Sequence, residues 1–297
     1  MSFNIFMQNV VNGLSLGGLY ALIAIGYTMV YGILRLINFA HGDIFMLGTY
    51  FLFYGVAIFH LPWWLSFILA IILTALTGVL TEKIAYRPLR NSPRISLLIS
   101  AIGVSFFLQN AGIVTFSGIP KAFPRPDIFK KILIIADIRI QIVNINAIVI
   151  SLLFLMILLY IVYNTKTGLA MRAISTDTET ARLMAIDVNR TISITFAIGS
   201  ALAAVGGILW ALKYPQINPL MGIIPGLKAF IAAVVGGIGN IPGAMVGGFL
   251  LGFTEIMLVA FLPRLSGYRD AFAFLILILI LLFKPDGLFG KNVQEKV

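Results

Sequence analysis

The feature that most constrains this chain is a succession of apolar runs, each near the length that crosses a bilayer, separated by short polar breaks. A helical span needs about 20 apolar residues. Runs of that order extend from Val10 to Tyr31, Ile44 to Phe59, Pro62 to Ile84, Ile95 to Phe116, Ala147 to Tyr163, Thr191 to Leu212, Ala244 to Leu262 and Asp270 to Phe283. They are continuous rather than alternating, which excludes a transmembrane β-barrel. The 297 residues are 60% hydrophobic and 11% charged, against roughly a quarter charged in a soluble domain. The expected fold is all-α and polytopic: a single membrane domain over residues 1–297 with about eight or nine transmembrane helices.

Two stretches predict broken or re-entrant helices. In INFAHGD, Asn38, His41 and Asp43 lie between apolar runs, where ionisable groups are costly and functional by default, and Gly42 lets the backbone break beside them. One reading is a discontinuous helix lining a polar path. The other is a tight cytoplasmic turn in which Asp43 caps the next helix and His41 meets solvent; a His41–Asp43 proton relay is a third. In VVGGIGNIPGAMVGG, Gly236, Gly237 and Gly239 interrupt the helix, near a pathway or simply by close packing. Glu255, in the following span, either faces the bundle and is hydrogen-bonded or joins the pathway.

Residues 117–146 differ in kind. After Pro120, Pro124 and Pro126, the isoleucines at 138, 140 and 142 alternate with Arg139 and Gln141, a period of two that predicts a small β-hairpin turning near Ala136 and Asp137. Parity of the spans puts the hairpin on the outer, periplasmic face. It puts the basic loop 83–94, the loop 164–190 and the tail 284–297 in the cytoplasm. The +10 net charge then reads as topology-setting basic loops meeting anionic headgroups, not as nucleic-acid binding. No Cys and only His41 and His60 are present, so thiol chemistry is excluded and little remains for a metal site. No G-x-S-x-G elbow or triad spacing supports an enzyme.

The cytoplasmic loop carries the longest charge-mixed stretch, GLAMRAISTDTETARLMAIDVNR, Gly168 to Arg190. Thr176 and Glu179 fit a capping box. Beyond them Ala181, Met184, Ala185 and Val188 fall on one helical stripe, with Arg182 and Asp187 polar. An amphipathic helix aimed at water calls for a partner.

This loop, together with INFAHGD and LKAFIAAVVGGIGNIPGAMVGGFLLG, resembles the branched-chain amino acid permeases of bacterial ABC importers, most closely the smaller of their two permease subunits. The likeness runs through nearly the whole chain. The family's loop pattern falls at Gly168, Arg172, Ala173, Glu179, Ala181, Ile186 and Arg190, and Ala185 stands where a glycine is usual. The resemblance implies a multi-pass protein of the bacterial inner membrane. Its partners would be a second homologous permease, two cytoplasmic ATPases docked on this loop and a periplasmic substrate-binding protein. It implies leucine, isoleucine or valine as substrate and alternating access as mechanism. Relatives carry urea, amides or sugars, and an ion-coupled secondary transporter is the rival class. The chain has no GxxxxGK[ST], so ATP belongs to the partner subunits and no cofactor is expected on this chain.

Overall fold

The computed structural model describes residues 3–135 and 138–290. In chain order, α1 is Phe3–Leu34, α2 His41–Ala57, and α3 Trp63–Thr81, which continues through a π-helical turn at Glu82–Tyr86. Next come α4, Arg94–Phe116, β1, Lys121–Ala122, β2, Ile132–Ile135, β3, Ile138–Gln141, and α5, Ile142–Asn164. The remainder is α6, Lys166–Thr176, α7, Thr178–Leu183, α8, Val188–Lys213, β4, Gln216–Ile217, α9, Ile223–Gly236, α10, Ile241–Phe261, and α11, Arg269–Phe283.

Among the described residues, seven helices are long and apolar enough to cross a membrane: α1, α3, α4, α5, α8, α10, and α11 with the short turn before it. The shorter α2 and α9 complete the bundle, so the all-α polytopic fold with interrupted segments is what the chain adopts. Small residues decide which helices sit inside. The span of α1 is 83% buried and that of α8 72%, whereas α4 is 11% buried. Gly17 and Gly248 of the α1–α10 crossing admit backbone of the facing helix where a Cβ would collide, Gly48 does the same against Ala204 of α8, and Gly78 makes room for the Ser200 side chain of α8. Without a hydrophobic drive between helices in lipid, this close packing holds the bundle.

The halves repeat. Ile37-Asn38 and Gly42 recur as Ile217-Asn218 and Gly222, Ala24 and Gly26 as Ala204 and Gly206, and Leu61-Pro62 as Ile241-Pro242, all at one constant offset. The structure follows the sequence: α1 to α4 correspond to α8 to α11. Packing of α1 on α10 is matched by α8 on α3, and packing of α2 on α8 by α9 on α1. An odd number of crossings separates the halves, so they run in opposite senses, as an inverted repeat. The hairpin, α5, α6 and α7 are inserted between them. β1 pairs with β4, joining the two halves at the end where α4 and α8 finish.

Several expectations change in detail. The second helix starts at His41 rather than Ile44, and α5 at Ile142 rather than Ala147. The Gly-rich stretch is a turn between helices, with Gly237 at φ 105° and Gly239 at φ 92°. It closes when Asn240 caps α10 by accepting from the Gly243 N–H at 3.2 Å. The hairpin forms, with Ile132 opposite Gln141 and Ile135 opposite Ile138; its turn at Ala136 and Asp137 lies outside the described residues.

The helix crossings make a direct test. Gly248→Ala puts a methyl 2.5 Å from Ala21 backbone, and overpacking of this kind costs about 1–3 kcal/mol. Gly103→Ala meets nothing within 4 Å. Thermal melting in detergent is expected to show a lower Tm for the first variant and none of that loss for the second.

Candidate functional site

Two helix breaks meet in the middle of the molecule. The chain leaves α1 at Leu34, with Arg35 at φ 50°, and turns back as an extended segment to start α2 at His41. From the opposite face it leaves α8, passes β4 and starts α9 at Ile223. Gly42 and Gly222 touch here: a Cβ on Gly42 would lie 2.5 Å from the Gly222 carbonyl, and Gly226 packs on the Gly42 Cα. Only glycine admits this approach of backbone to backbone.

Beside the contact lies a cavity of about 140 Å³ between α2, α4 and α9, with Asp43, Ser105, Gln109, Phe39, Leu227 and Phe230 in its wall. Ser105 stands midway along α4, and its hydroxyl donates to Asp43 Oδ2 at 2.5 Å. Gln109 donates to the Ser105 oxygen at 3.0 Å. Asp43 is therefore at the middle of the bundle and buried, with a relative exposure of 2%.

This overturns the solvent-exposed turn. Ala40, not Asp43, occupies the N-cap of α2, and His41 is buried at 1% exposure. His41 also forms no relay with Asp43. Its ring lies on Tyr27, with centroids 4.6 Å apart, and its Nε2 has no hydrogen-bond partner. Asn38 anchors the re-entrant segment, accepting from the Tyr86 hydroxyl at 2.7 Å. Gly236, Gly237 and Gly239 are not in the cavity wall. They close the α9–α10 turn against the start of the tail, where Phe289 N–H donates to the Gly236 carbonyl at 3.1 Å.

Glu255 faces the bundle. Its Oε2 accepts from the Tyr20 hydroxyl at 3.0 Å, and its Oε1 pairs with Lys228 at 2.8 Å and Arg269 at 2.9 Å. Lys228 also reaches Asp270 at 2.6 Å. Sequence reasoning missed Lys228; one lysine inside an otherwise apolar helix was the available signal. It likewise missed Glu82, fully buried at the inner end of α3. Glu82 binds Arg87 at 2.8 Å, Arg90 at 2.9 Å and the Ser193 hydroxyl of α8 at 2.8 Å.

The loop between α5 and α8 is two short helices. Thr165 caps α6 by accepting from the Gly168 N–H at 3.1 Å, and Gly168 is needed because a Cβ would overlap the Ile161 and Val162 carbonyls. The Arg172 guanidinium lies 5.4 Å from the Tyr163 ring centroid. The capping box is corrected by one position. Asp177 caps α7, accepting from Glu179 N–H at 2.9 Å and the Thr180 hydroxyl at 2.6 Å, while Thr176 bonds back to the Arg172 carbonyl. The Thr180 hydroxyl, with the backbone donors, holds the Asp177 carboxyl below the usual carboxylate range.

The predicted stripe does not persist. α7 ends at Leu183, Ala185 takes φ 58° in the left-handed region, and Val188 already belongs to α8. Ala185 thus holds the C-terminal position that glycine favours. Ala173 is half-buried and Ala181 packs inward beside a half-buried Ile186. Arg172, Glu179, Arg190, Leu183 and Met184 are exposed, the last two by 86% and 74%.

Breaking a buried ion network strands a charge, at about 3–5 kcal/mol. Lys228→Met, which leaves Glu255 and Asp270 without the lysine, is expected to lower detergent stability by that order. Glu255→Gln on the same background should recover part of the loss in a chemical or thermal melt.

The profile of the family described as branched-chain amino acid transport system / permease component matches residues 9–281. The LivH permease protein of the high-affinity branched-chain amino acid transport system of Salmonella typhimurium is 43% identical over 99% of both chains. BraD of Pseudomonas aeruginosa, of the same description, is 42% identical over 98% of both. A probable LivH of Methanocaldococcus jannaschii is 29% identical over 93% of this chain and 90% of its own. A chain whose full length follows these relatives, and whose apolar helices build a membrane bundle around a central break, belongs to the branched-chain amino acid transport permease family.

Proposed function

We propose that this chain is one permease subunit of an ATP-driven importer that carries leucine, isoleucine or valine across the bacterial inner membrane by alternating access. The observation that carries the reading is the α6–α7 loop. It is a capped, rigid element that presents Arg172, Glu179, Arg190, Leu183 and Met184 to water. Exposed apolar side chains beside charges of both signs suit a docking surface, and the partner in this reading is a cytoplasmic ATPase. Two such ATPases, a second homologous permease and a periplasmic binding protein complete the assembly. ATP is bound by the ATPases, and this chain performs no chemistry on the substrate.

The binding protein docks at the outer face on the β1–β4 ribbon and the β2–β3 hairpin. ATPase closure moves α6 and α7. Asp187, which caps α8 by accepting from the Arg190 N–H at 3.0 Å, lies between them and the bundle. Arg90 bridges Asn189 of α8, at 2.7 Å, to Glu82, so α3 and α8 shift as one body. The two breaks at Gly42 and Gly222 then part on alternate sides. Apolar walls at Phe39, Leu227 and Phe230 favour a branched aliphatic side chain over urea or an amide. The pairing of Glu255 with Lys228 and Arg269 removes that one carboxylate from the candidates an ion-coupled transporter would use.

In proteoliposomes holding the complete assembly, ATP-dependent leucine uptake is expected to fall to background on charge reversal, Arg172→Glu or Glu179→Arg. Leu183→Ser with Met184→Ser should weaken co-purification of the ATPases. Uptake by this chain alone, driven by an ion gradient, would sink the reading.

A further inference from the structure

Among the described residues, three buried carboxylates lie within the bundle, and two are matched by cations. Glu82 holds two arginines, and Glu255 holds a lysine and an arginine. Asp43 is different. It accepts from the neutral Ser105 hydroxyl, backed by the Gln109 amide, and no salt bridge among the described residues includes it. It stands at the wall of the cavity beside Gly42 and Gly222, at mid-depth, where two broken helices of an inverted repeat converge. A buried carboxylate without a counter-ion, next to open space, is a place where a cation from outside the chain would find a partner.

The adjoining wall, where Gly222 packs on Gly42 beside the Asp43 backbone, has the opposite character. Gly222 and Ile223 at the start of α9 line the same cavity. This 14-residue helix has no acidic residue in its first turn and no side-chain cap. The Ile223 N–H donates to the Leu220 carbonyl, the Gly226 N–H to the Gly222 carbonyl, and Pro225 has none, so what this end offers a neighbouring anion is the helix dipole rather than a row of free donors. α2, by contrast, has Asp43 in its own first turn. The same cavity is lined by Phe39, Leu227 and Phe230. A simple cation would leave the α9 end unmatched, and a simple anion would meet Asp43. A molecule with both charges and an aliphatic arm satisfies all three walls.

We infer that this cavity receives the passing amino acid as a zwitterion, with its ammonium on the Asp43 carboxylate, its carboxylate at the N-terminal end of α9 and its side chain against Leu227, Phe39 and Phe230. The inference rests on the importer reading above and adds where, and by which groups, the substrate is held. At about 140 Å³ the cavity is smaller than the roughly 300–1,000 Å³ of ordinary ligand pockets. It is a waypoint that widens as Gly42 and Gly222 separate, so substrate is held weakly and passes on.

The test uses the complete assembly in proteoliposomes, with the binding protein and radiolabelled leucine or valine. Asp43→Asn, nearly the same in shape, is expected to lower leucine uptake by about thirtyfold, the size of effect seen when one member of a buried charge pair is removed. Asp43→Glu should retain part of it. Leu227→Phe, which fills the cavity without touching charge, should lower the leucine-to-valine uptake ratio by roughly tenfold, since the two differ by one methylene. Wild-type uptake by Asp43→Asn, or an unchanged ratio in Leu227→Phe, overturns the inference while the importer reading stands. If Asp43→Asn does not assemble with the ATPases, the ratio in Leu227→Phe decides. Absence of ATP-dependent uptake by the wild-type assembly would instead remove the reading on which both rest.

Discussion

The structure depends on how it disposes of backbone polar groups where no water is at hand. In hydrocarbon, helices are broken only where the freed N–H and C=O groups are buried in protein or line a wet cavity. This chain breaks two helices at mid-depth and seals them against each other, Gly42 on Gly222 and Gly226 on Gly42. The central position of α1 and α8 follows, because they shield the breaks from lipid. So does the run of small residues along both. A larger residue at either glycine would push the broken ends apart and open the core to lipid. One contact therefore sets the bundle's shape and supplies the place where it can open.

Charge is handled by the same economy of position. An unpaired ion moved from water to a low-dielectric interior carries a penalty of several kcal/mol even after relaxation. Glu255 escapes it through a lysine and an arginine from other helices, and Glu82 through two arginines of the turn that follows it; each network also ties helices together. The Glu255 network joins α1, α9, α10 and α11, while the Glu82 network joins α3 to α8. They occupy related helices of the two halves, α10 and α3, yet opposite ends of the bundle, as an inverted repeat requires. Asp43 receives neutral donors alone, and that asymmetry separates a strut from a site.

Much of the fold was legible in the sequence, for reasons that differ element by element. Apolar runs report spans directly, since lipid imposes one length and one composition. Alternation at Ile138 to Gln141 reported β3 because a half-exposed strand has a strict period of two. The α6–α7 loop was legible as a helical, polar projection, and Ala185 was correctly marked as the odd residue, which its φ of 58° explains. The cap was misplaced from Asp177 to Thr176 because Ser, Thr and Asp are near-equal caps and three of them adjoin there. The inverted repeat was not read, because it rests on a few glycines, alanines and one Ile-Asn pair scattered through sequence of biased composition. The cavity was half-legible. Asp43 and Gly42 were marked as candidates, but Ser105 and Leu227 come from distant helices and no local pattern connects them. Gly236, Gly237 and Gly239 carried the same signal as Gly42 and serve a turn at the inner end instead.

The two halves are alike, but only one junction between them carries extra chain, and this breaks the symmetry of motion. Hairpin, α5, α6 and α7 are inserted before α8, so a force applied to the α6–α7 loop enters the second half at the first turn of α8. From there the shortest rigid path runs through Asn189, Arg90 and Glu82 to α3, and through Gly78 against Ser200 along the same crossing. The matching crossing of α1 on α10 has no loop of this kind. Displacement on the inner face therefore drives α3 and α8 against a frame of α1 and α10 that the Glu255 network stiffens. The boundary between the moving pair and the frame passes through α2 and α9, which are packed on α8 and α1 respectively. It is at this boundary that the Gly42–Gly222 contact and the Asp43 cavity lie. The Gly42–Gly222 seam thus adjoins Asp43, so in the proposed mechanism a force that opens the seam also changes the surroundings of that carboxylate.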